Sequence, residues 1–418
     1  MTSFTYDLLG RTIQSTEPGL TSTWTYDTAA KGIGKLATAA TNGGYSRSHT
    51  YDALGRPSQT TLTIDAVAYT STATYDGAGR VSQVSYPSGL GVTYDYNALG
   101  YQAQLRNTAT NEVYWTANAR DAELRLTTQT AGNGVATSQF YDPLMGRFTA
   151  IQAGTNGAVQ KFDYSYDAIG NVLNRSDSNQ GWSETFTYDS LNRLTAANIG
   201  VNIAKSFSYN AIGNLLSKSD VGAYAYPAAG QPFPHAVSSI SGSVINTTFS
   251  YDANGNMTAG NGIAITYTPF NKPATITRGA NQIGFSHDPE HQRFKQTATS
   301  GNTLYLNGGG VMSERLIGSG GATQWTDYLF AGGGMIGMRV VHSTSGTSTR
   351  YFHKDHLGSI ATITNETGTV VERLSYDAWG KRRNLDGTDD PAGSIASQTA
   401  RDHRRRSRFS LKVTTRFH

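Results

Sequence analysis

Carboxylate side chains recur along the first 300 residues, where they could act as general acids and bases or as metal ligands. Many of these aspartates follow a tyrosine, and most tyrosines at such positions lie about 20–25 residues from the next. The six clearest pairs are Tyr6-Asp7, Tyr51-Asp52, Tyr75-Asp76, Tyr166-Asp167, Tyr188-Asp189 and Tyr251-Asp252. Because an active site needs one constellation whereas these pairs repeat, we predict that Asp forms turns and Tyr packs between repeats. Catalytic or metal-binding aspartates and a sugar-binding tyrosine platform are the two alternatives.

The residues after each pair encode a tight turn. A glycine stands three residues after the aspartate in five of the six pairs, at Gly10, Gly55, Gly79, Gly170 and Gly255. An aspartate at the first position accepts backbone N–H bonds, and the glycine supplies the positive φ that closes a type I turn with a bulge. Asn192 takes this position after Asp189, and asparagine is the side chain that best tolerates the left-handed region.

The residues before each turn alternate between an aromatic side chain and Ser or Thr, as in Phe186-Thr187-Tyr188. This alternation places the aromatic residues on one face of a strand. We therefore predict that each repeat is a strand, a turn and a second strand, and that the chain is an all-β array of stacked hairpins. A β-propeller is the alternative fold, although each blade needs four strands and about 40 residues.

Histidine, aspartate and histidine also occur close together at His353, Asp355 and His356, a combination that could hold zinc. Two histidines three residues apart on a strand point to opposite faces, and the aspartate equally fits a turn. We predict a structural hydrogen-bonding role for these residues, with no metal and no other cofactor.

Composition excludes several classes of protein. The 418 residues include no cysteine, so disulfides and thiolate metal sites are excluded. The formal net charge is +4, but residues 401–418 contain seven basic residues and one acidic residue. The first 400 residues therefore carry a net charge of −2 and offer no basic stripe for nucleic acid. No apolar run is long enough to span a membrane, and the first residues do not resemble a signal peptide.

The repeats resemble the YD repeats of the Rhs family, which includes bacterial wall-associated proteins, the cocoon subunits of insecticidal toxin complexes and the animal teneurins. The resemblance covers residues 4–383. It includes a second motif that looks like the Rhs-associated core, and we call this motif the core signature. Its residues are Tyr351, His353, Asp355, His356, Leu357, Gly358, Ser359, Tyr376, Asp377 and Gly380. The sequence departs from the usual pattern at Asn365, where Asp is common, and at Ala378-Trp379, which replace Pro-Phe.

The resemblance implies a β-solenoid, or spiral shell, whose core signature closes one end of a cavity. It divides the chain into a YD-repeat array at 1–300, a core-like region at 301–383 and a basic tail at 384–418. The tail lies outside the resemblance, and we expect it to be disordered or foreign to the family. In longer members the cavity holds a C-terminal toxin that the shell cuts free. The implied partners are a C-terminal or separately encoded toxin and further shell segments, with neither nucleic acid nor membrane.

Self-cleaving relatives carry a Tyr-Asp-Pro-x-x-Gly-Arg-Phe stretch and an Asp-Pro-x-Gly-Leu motif after the core. In this chain the first pattern lies within the array, at residues 141–148, and the second is reduced to Asp390-Pro391-Ala392-Gly393. We therefore predict no enzymatic activity and no catalytic residue.

The expected function is that of a shell segment that encloses or presents a polymorphic toxin, truncated and without its toxin domain. It would be secreted or surface-exposed as part of a longer system. One alternative is a cell-surface module that binds glycans or cells, and the other is a self-cleaving aspartyl protease shell.

Overall fold

The strands of this protein follow the alternation of its sequence. The computed structural model describes residues 2–390. In β17 (Trp182–Tyr188), for example, Trp182, Glu184 and Phe186 are buried, whereas the Ser and Thr residues between them are exposed. Apart from one short 3₁₀ helix at Thr155–Gly157, every regular element within residues 2–390 is a β-strand. That range holds no helix long and apolar enough to cross a lipid bilayer.

Residues 2–390 contain 38 strands. The first nineteen are β1 (Ser3–Tyr6), β2 (Thr12–Glu17), β3 (Leu20–Tyr26), β4 (Leu36–Thr41), β5 (Tyr45–Tyr51), β6 (Pro57–Ile64), β7 (Val67–Tyr75), β8 (Val81–Ser85), β9 (Gly91–Tyr96), β10 (Gln102–Asn107), β11 (Val113–Arg120), β12 (Leu126–Ala131), β13 (Ala136–Tyr141), β14 (Phe148–Ala153), β15 (Gln160–Tyr166), β16 (Val172–Asp177), β17 (Trp182–Tyr188), β18 (Leu194–Ile199) and β19 (Ile203–Tyr209). The others are β20 (Leu215–Lys218), β21 (Gly222–Ala225), β22 (Ser239–Ser241), β23 (Asn246–Thr248), β24 (Ser250–Tyr251), β25 (Met257–Gly260), β26 (Ile263–Tyr267), β27 (Pro273–Arg278), β28 (Asn281–His287), β29 (Arg293–Ala298), β30 (Gly301–Gly308), β31 (Val311–Gly318), β32 (Thr323–Ala331), β33 (Gly334–His342), β34 (Gly346–Lys354), β35 (Ile360–Thr364), β36 (Val370–Arg373), β37 (Ser375–Tyr376) and β38 (Arg382–Arg383).

The chain forms two units, each assembled from two separate segments. Within the described range, unit 1 contains residues 2–132 and 221–350, and unit 2 contains residues 133–220 and 351–390. The predicted divisions at 300 and 383 come from the resemblance and stay predictions. Of the predicted basic tail, residues 391–418 lie outside the described residues.

Unit 1 consists of runs of strands in which each strand pairs antiparallel with the next strand of the chain. One run extends from β1 to β12. Further runs join β21 to β23 and β24 to β33. A run of twelve strands is unlike a four-stranded propeller blade. The predicted all-β array of stacked hairpins is therefore confirmed.

A register shift lies beside each Tyr-Asp turn, where the turn motif predicts a bulge. In the hairpin of β5 and β6, Thr50 pairs with Gln59 but Tyr51 pairs with Pro57, so one residue is extra on the second strand. Gly55, in the turn itself, has φ +71°, a value that glycine adopts without strain.

Unit 2 repeats this arrangement on a smaller scale. Strands β13 to β20 pair in chain order, and the last residues of β34 pair with β35, which in turn pairs with β36. β37 and β38 form a short separate hairpin. A buried cluster of Phe162, Tyr164 and Trp182 includes Ala361 of β35, so the two segments of unit 2 share one core.

The two segments of unit 1 also share a core, because hairpins of the second segment pack on the first. Trp115 and Leu105 of the first segment lie in one buried cluster with Leu329 of β32. The turn between β30 and β31 rests on β7, where the hydroxyl of Ser71 donates to the carbonyl of Gly308 at 3.1 Å. The turn between β32 and β33 is held by Gln102, whose Oε1 accepts the N–H of Gly332 at 2.9 Å.

Gly309 tests how closely the first of these turns must approach β7. A Cβ on Gly309 would lie 2.3 Å from the Ser71 hydroxyl oxygen, whereas a Cβ on Gly310 would meet nothing within 4 Å. Both residues have positive φ, 64° and 82°, so alanine is strained at either by about 1–2 kcal/mol. We predict that Gly309→Ala lowers the melting temperature further than Gly310→Ala, as measured by circular dichroism. Equal losses would contradict the close packing.

Candidate functional site

The Tyr-Asp turns share one hydrogen-bond pattern. After β5, Oδ1 of Asp52 accepts the backbone N–H groups of Leu54 and Arg56, each at 2.9 Å. Oδ2 of the same carboxylate accepts the Nε–H of Arg56 at 2.7 Å. The pattern recurs at Asp7, Asp76, Asp121 and Asp189. An asparagine replaces the arginine after Asp167 and Asp252.

These bonds also determine the electrostatics of the turn. The hydrogen bond from the Arg56 guanidinium, followed by that from the Arg56 backbone, lowers the pKa of Asp52. The corresponding bonds from Arg80 lower the pKa of Asp76 in the same order. A carboxylate that stays ionised and whose oxygens bond its own turn is poorly suited to protonate a substrate near neutral pH.

Four of the turn arginines also contact the tyrosine of the following repeat. The guanidinium carbon of Arg56 lies 4.2 Å from the ring centre of Tyr75, and that of Arg80 lies 4.2 Å from Tyr96. Similar pairs are Arg11 with Tyr26 and Arg193 with Tyr209. A cation over an aromatic face contributes about 0.5–1 kcal/mol at an exposed site. The arginine therefore connects the carboxylate of its own turn to the next repeat.

The tyrosine hydroxyls point back toward the preceding repeat. Tyr75 donates to the carbonyl oxygen of Pro57 at 2.8 Å, across to the strand that follows the previous turn. We call this chain of contacts the tyrosine ladder; its other donors include Tyr51, Tyr96, Tyr166, Tyr188, Tyr209, Tyr251, Tyr267 and Tyr376. Among the predicted repeat residues Tyr6 differs, since 58 % of its surface is exposed.

The core signature uses the same turn chemistry. Oδ1 of Asp355 accepts the N–H groups of Leu357 and Ser359 at 2.9 and 2.8 Å, and Gly358 has φ +78°. In the same way, Oδ1 of Asp377 accepts the backbone N–H groups of Trp379 and Lys381, and Gly380 between them has φ +75°. The core signature differs from the Tyr-Asp turns of the array in being more deeply buried. Its residues Tyr351, Tyr376 and Asp377 are each less than 7 % exposed.

The two histidines of the signature have separate surroundings. Nε2 of His353 lies 3.0 Å from the hydroxyl of Thr364 in a buried site. The ring of His356 packs against that of Tyr164, with 4.2 Å between the ring centres. No group of three or more His, Asp and Glu side chains within residues 2–390 is arranged to hold a metal ion. The bond of His353 is of the predicted structural kind, whereas Nδ1 of His356 is buried without a hydrogen-bond partner among the described residues, so the hydrogen-bonding role of His356 stays a prediction.

A buried ionic group that the sequence analysis missed holds the signature in unit 2. The carboxylate of Glu184 on β17 accepts two hydrogen bonds from Arg383 of β38, at 2.9 and 3.0 Å. It also bonds Arg175 of β16. All three side chains are less than 9 % exposed. Arg175 in turn donates to the backbone carbonyl of Tyr376 at 2.9 Å.

A second missed group contains two lysines and three aspartates. Nζ of Lys205 lies 2.6 Å from Asp389 and 3.1 Å from Asp220, and Nζ of Lys218 lies 2.7 Å from Asp220 and 3.3 Å from Asp377. Each carboxylate thus faces an ammonium group. Residue 389 belongs to the predicted basic tail, so the described start of that tail contacts the first segment of unit 2.

Strand alternation is the signal that could have found these groups. Glu184 stands between Trp182 and Phe186, and Lys205 stands between Ile203 and Phe207, at positions of the inward face. A charged residue in that position is buried and therefore needs a partner. The partners Arg383 and Asp389 were not readable, because they lie 199 and 184 positions away in the sequence.

Glu184 gives a prediction with a definite pH dependence. Burial alone would raise its pKa, but Arg175 and Arg383 outweigh burial and lower it below the ordinary 4.5. A lowered carboxyl pKa stabilises the fold above the unfolded value, and this contribution is lost as pH falls below about 4.5. We predict that Glu184→Gln costs about 3–5 kcal/mol at pH 7, because two arginines lose their counter-charge. The loss should shrink toward pH 3 in urea unfolding curves.

Glu123→Gln is the matched control, since this ion pair with Arg125 leaves Glu123 65 % exposed. It should change the unfolding midpoint little at any pH. Equal effects of the two substitutions would contradict the buried role of Glu184.

His353 gives a second pH prediction. Burial, assisted by the charge of Arg373, lowers its pKa from 6.5 to about 4. The unfolded chain therefore binds the proton first, so the stabilisation present above pH 6.5 decreases as pH falls toward 4. We expect the His353 ring signal, assigned with His353→Gln, to titrate near pH 4 in NMR spectra. A midpoint near 6.5 would show that the ring is not held in its buried site.

The two stretches that resemble cleavage motifs lie in different settings. Asp142 forms another Tyr-Asp turn, one residue longer than usual, in which Gly146 donates its N–H to the Asp142 carbonyl at 2.9 Å. Of the Asp390-Pro391-Ala392-Gly393 motif, residues 391–393 lie outside the described residues.

Comparisons with known proteins agree with this geometry. The RHS Repeat family model matches residues 166–198, which contain the turns of Asp167 and Asp189. No curated protein is similar enough in sequence to count as a relative.

Solved structures extend the similarity to most of the chain. The crystal structure of TcdB2-TccC3-TEV matches 91 % of this chain with a TM-score of 0.68 and 14 % identity. The Tc holotoxin pore of Photorhabdus luminescens with the TccC3-D651A mutation matches 91 % with a TM-score of 0.68 and 13 % identity. The chain spans only 24 % and 23 % of the lengths of those chains. Residues 166–198 thus match an RHS repeat, and 91 % of the chain has the fold seen in the TcdB2-TccC3 structures.

Proposed function

We propose that this chain is a section of a shell wall that encloses or presents a toxin polypeptide. The observation that carries the proposal is the similarity in fold to TcdB2-TccC3 across 91 % of the chain. Long runs of paired strands supply such a wall, because pairing in chain order satisfies the backbone groups of every inner strand. The partners are then the toxin polypeptide and further wall segments, and the assembly is exported as part of a longer system.

The proposed role needs no catalytic residue in this chain. The turn carboxylates bond their own backbone and arginines, and Asp220 and Asp377 lie against Lys205 and Lys218. Self-cleavage by two aspartates needs carboxyl groups that share a proton, whereas adjacent ammonium groups favour the ionised form. We therefore infer that this chain does not cleave itself.

Co-expression with the coding sequence that flanks this chain in its source genome tests the proposal. We predict that the flanking polypeptide co-purifies with the chain and resists trypsin under conditions in which it is digested when expressed alone. Intact-mass spectrometry should show this chain uncut. Equal digestion rates with and without the chain would refute enclosure, and a pair of fragments would refute the absence of self-cleavage.

A further inference from the structure

Unit 1 contains a pocket of about 710 Å³, lined by one face of strands β5–β9 and by two glycine turns. The turns are Gly309-Gly310, between β30 and β31, and Gly333-Gly334, where β33 begins. Pockets that bind small ligands or side chains typically measure about 300–1,000 Å³. Part of the tyrosine ladder lines this pocket, on the side that faces the second segment of unit 1.

Tyrosine rings dominate the lining. Tyr51, Tyr75, Tyr94 and Tyr96 all contribute, together with apolar residues such as Val81 and Phe330. The ladder already uses three of the hydroxyl groups, since Tyr51, Tyr75 and Tyr96 donate to backbone carbonyls at 2.6–2.8 Å. The rings therefore offer a ligand mainly apolar surface.

The lining also offers polar atoms that make no hydrogen bond within the described protein, among them those of three side chains. Within residues 2–390 the hydroxyl of Tyr94 makes no hydrogen bond. His49 uses Nδ1 to contact the hydroxyl of Thr60 at 3.0 Å, which leaves Nε2 free. Gln102 uses Oε1 to accept the N–H of Gly332, which leaves its amide NH₂ free.

The lining carries no permanent charge. Among the described residues that surround the pocket there is no Asp, Glu, Lys or Arg. Burial, and then the charge of Arg47, lowers the pKa of His49, so this ring is neutral at pH 7. The nearest turn arginines, Arg56 and Arg80, lie over the lining rings of Tyr75 and Tyr96 but are already paired with Asp52 and Asp76. A charged ligand would therefore lose its hydration here without meeting an unpaired counter-charge, so the lining selects a neutral occupant.

We propose that this pocket binds the apolar side chains of an extended, uncharged peptide segment. A peptide group brings one donor and one acceptor, which the Gln102 amide, the Tyr94 hydroxyl and His49 Nε2 can bond. A sugar carries a hydroxyl on most ring carbons, and the mainly apolar surface of this lining would leave many of them unpaired. The inference rests on the proposed function, since the occupant of an enclosing wall is a polypeptide.

Isothermal titration of the full chain with acetyl-Leu-Phe-Leu-amide tests the pocket. Acetyl-Ser-Asn-Ser-amide and maltotriose are the comparison ligands, and we expect saturable one-to-one binding of the apolar peptide alone. Ala73 on β7 lines the pocket, so Ala73→Leu should fill it. Thr74 lies on the opposite, exposed face of the same strand, so Thr74→Leu is the control. The first should weaken binding at least tenfold and the second less than twofold, with both folds checked by circular dichroism.

Two tyrosines on β9 allow a matched pair of variants in which the aromatic ring is kept and only the hydroxyl is removed. Tyr94→Phe removes a free hydroxyl, so it should weaken binding by about three- to tenfold without lowering the melting temperature. Tyr96→Phe removes a hydroxyl that the ladder uses, so it should lower the melting temperature and change binding less than twofold.

The inference is overturned if the apolar peptide does not bind, if maltotriose or the polar peptide binds as tightly, or if Ala73→Leu and Tyr94→Phe leave the affinity unchanged. If the Ala73→Leu variant no longer binds the apolar peptide but still protects the flanking polypeptide from trypsin, the enclosure proposal stands and other surfaces of the wall must hold the polypeptide. Peptide binding without any protection of the flanking polypeptide would keep the pocket and refute enclosure.

Discussion

The whole repeat depends on a carboxylate that folds its own turn. An aspartate such as Asp52 accepts two backbone N–H groups and thereby fixes the position at which Arg56 leaves the turn. Its second oxygen holds the Arg56 guanidinium, which then lies over Tyr75 of the next repeat. Tyr75 in turn donates its hydroxyl to the strand that follows the first turn. One motif thus determines both the turn of its own hairpin and how closely the next repeat packs against that hairpin.

Each of these contacts is weak, and repetition makes them effective. Exposed ion pairs and cation–aromatic contacts contribute about 1 kcal/mol or less apiece. In a repeat array such nearest-neighbour terms add along the chain. The buried ions of unit 2 differ in kind, because Glu184, Arg175 and Arg383 lose their hydration. Their geometry fixes where β38 lies on β16 and β17, so we interpret them as a device for register.

The sequence was sufficient for whatever is local. Asp, Gly and the alternation before Tyr188 act within ten residues, so strands, turns and bulges could be predicted. The assembly of each unit from two distant segments could not, because no short pattern encodes which hairpin packs on which. Burial of Glu184 was readable from alternation, but its bonds to Arg383 span 199 positions. The triple glycine at 332–334 was visible, although its contacts with the first segment were not.

The tyrosine ladder explains why a wall of this kind can also hold a ligand. A tyrosine whose hydroxyl is bonded within the wall presents a ring that is apolar although the residue is polar. Tyr51, Tyr75 and Tyr96 are in this state, and the unbonded Tyr94 lies among them. Turn charges lie outside the pocket lining, although the Arg56 and Arg80 guanidinium groups, paired with Asp52 and Asp76, lie over the rings of Tyr75 and Tyr96. The interactions that join successive repeats therefore leave behind a neutral aromatic surface, and no dedicated binding loop is needed to produce it.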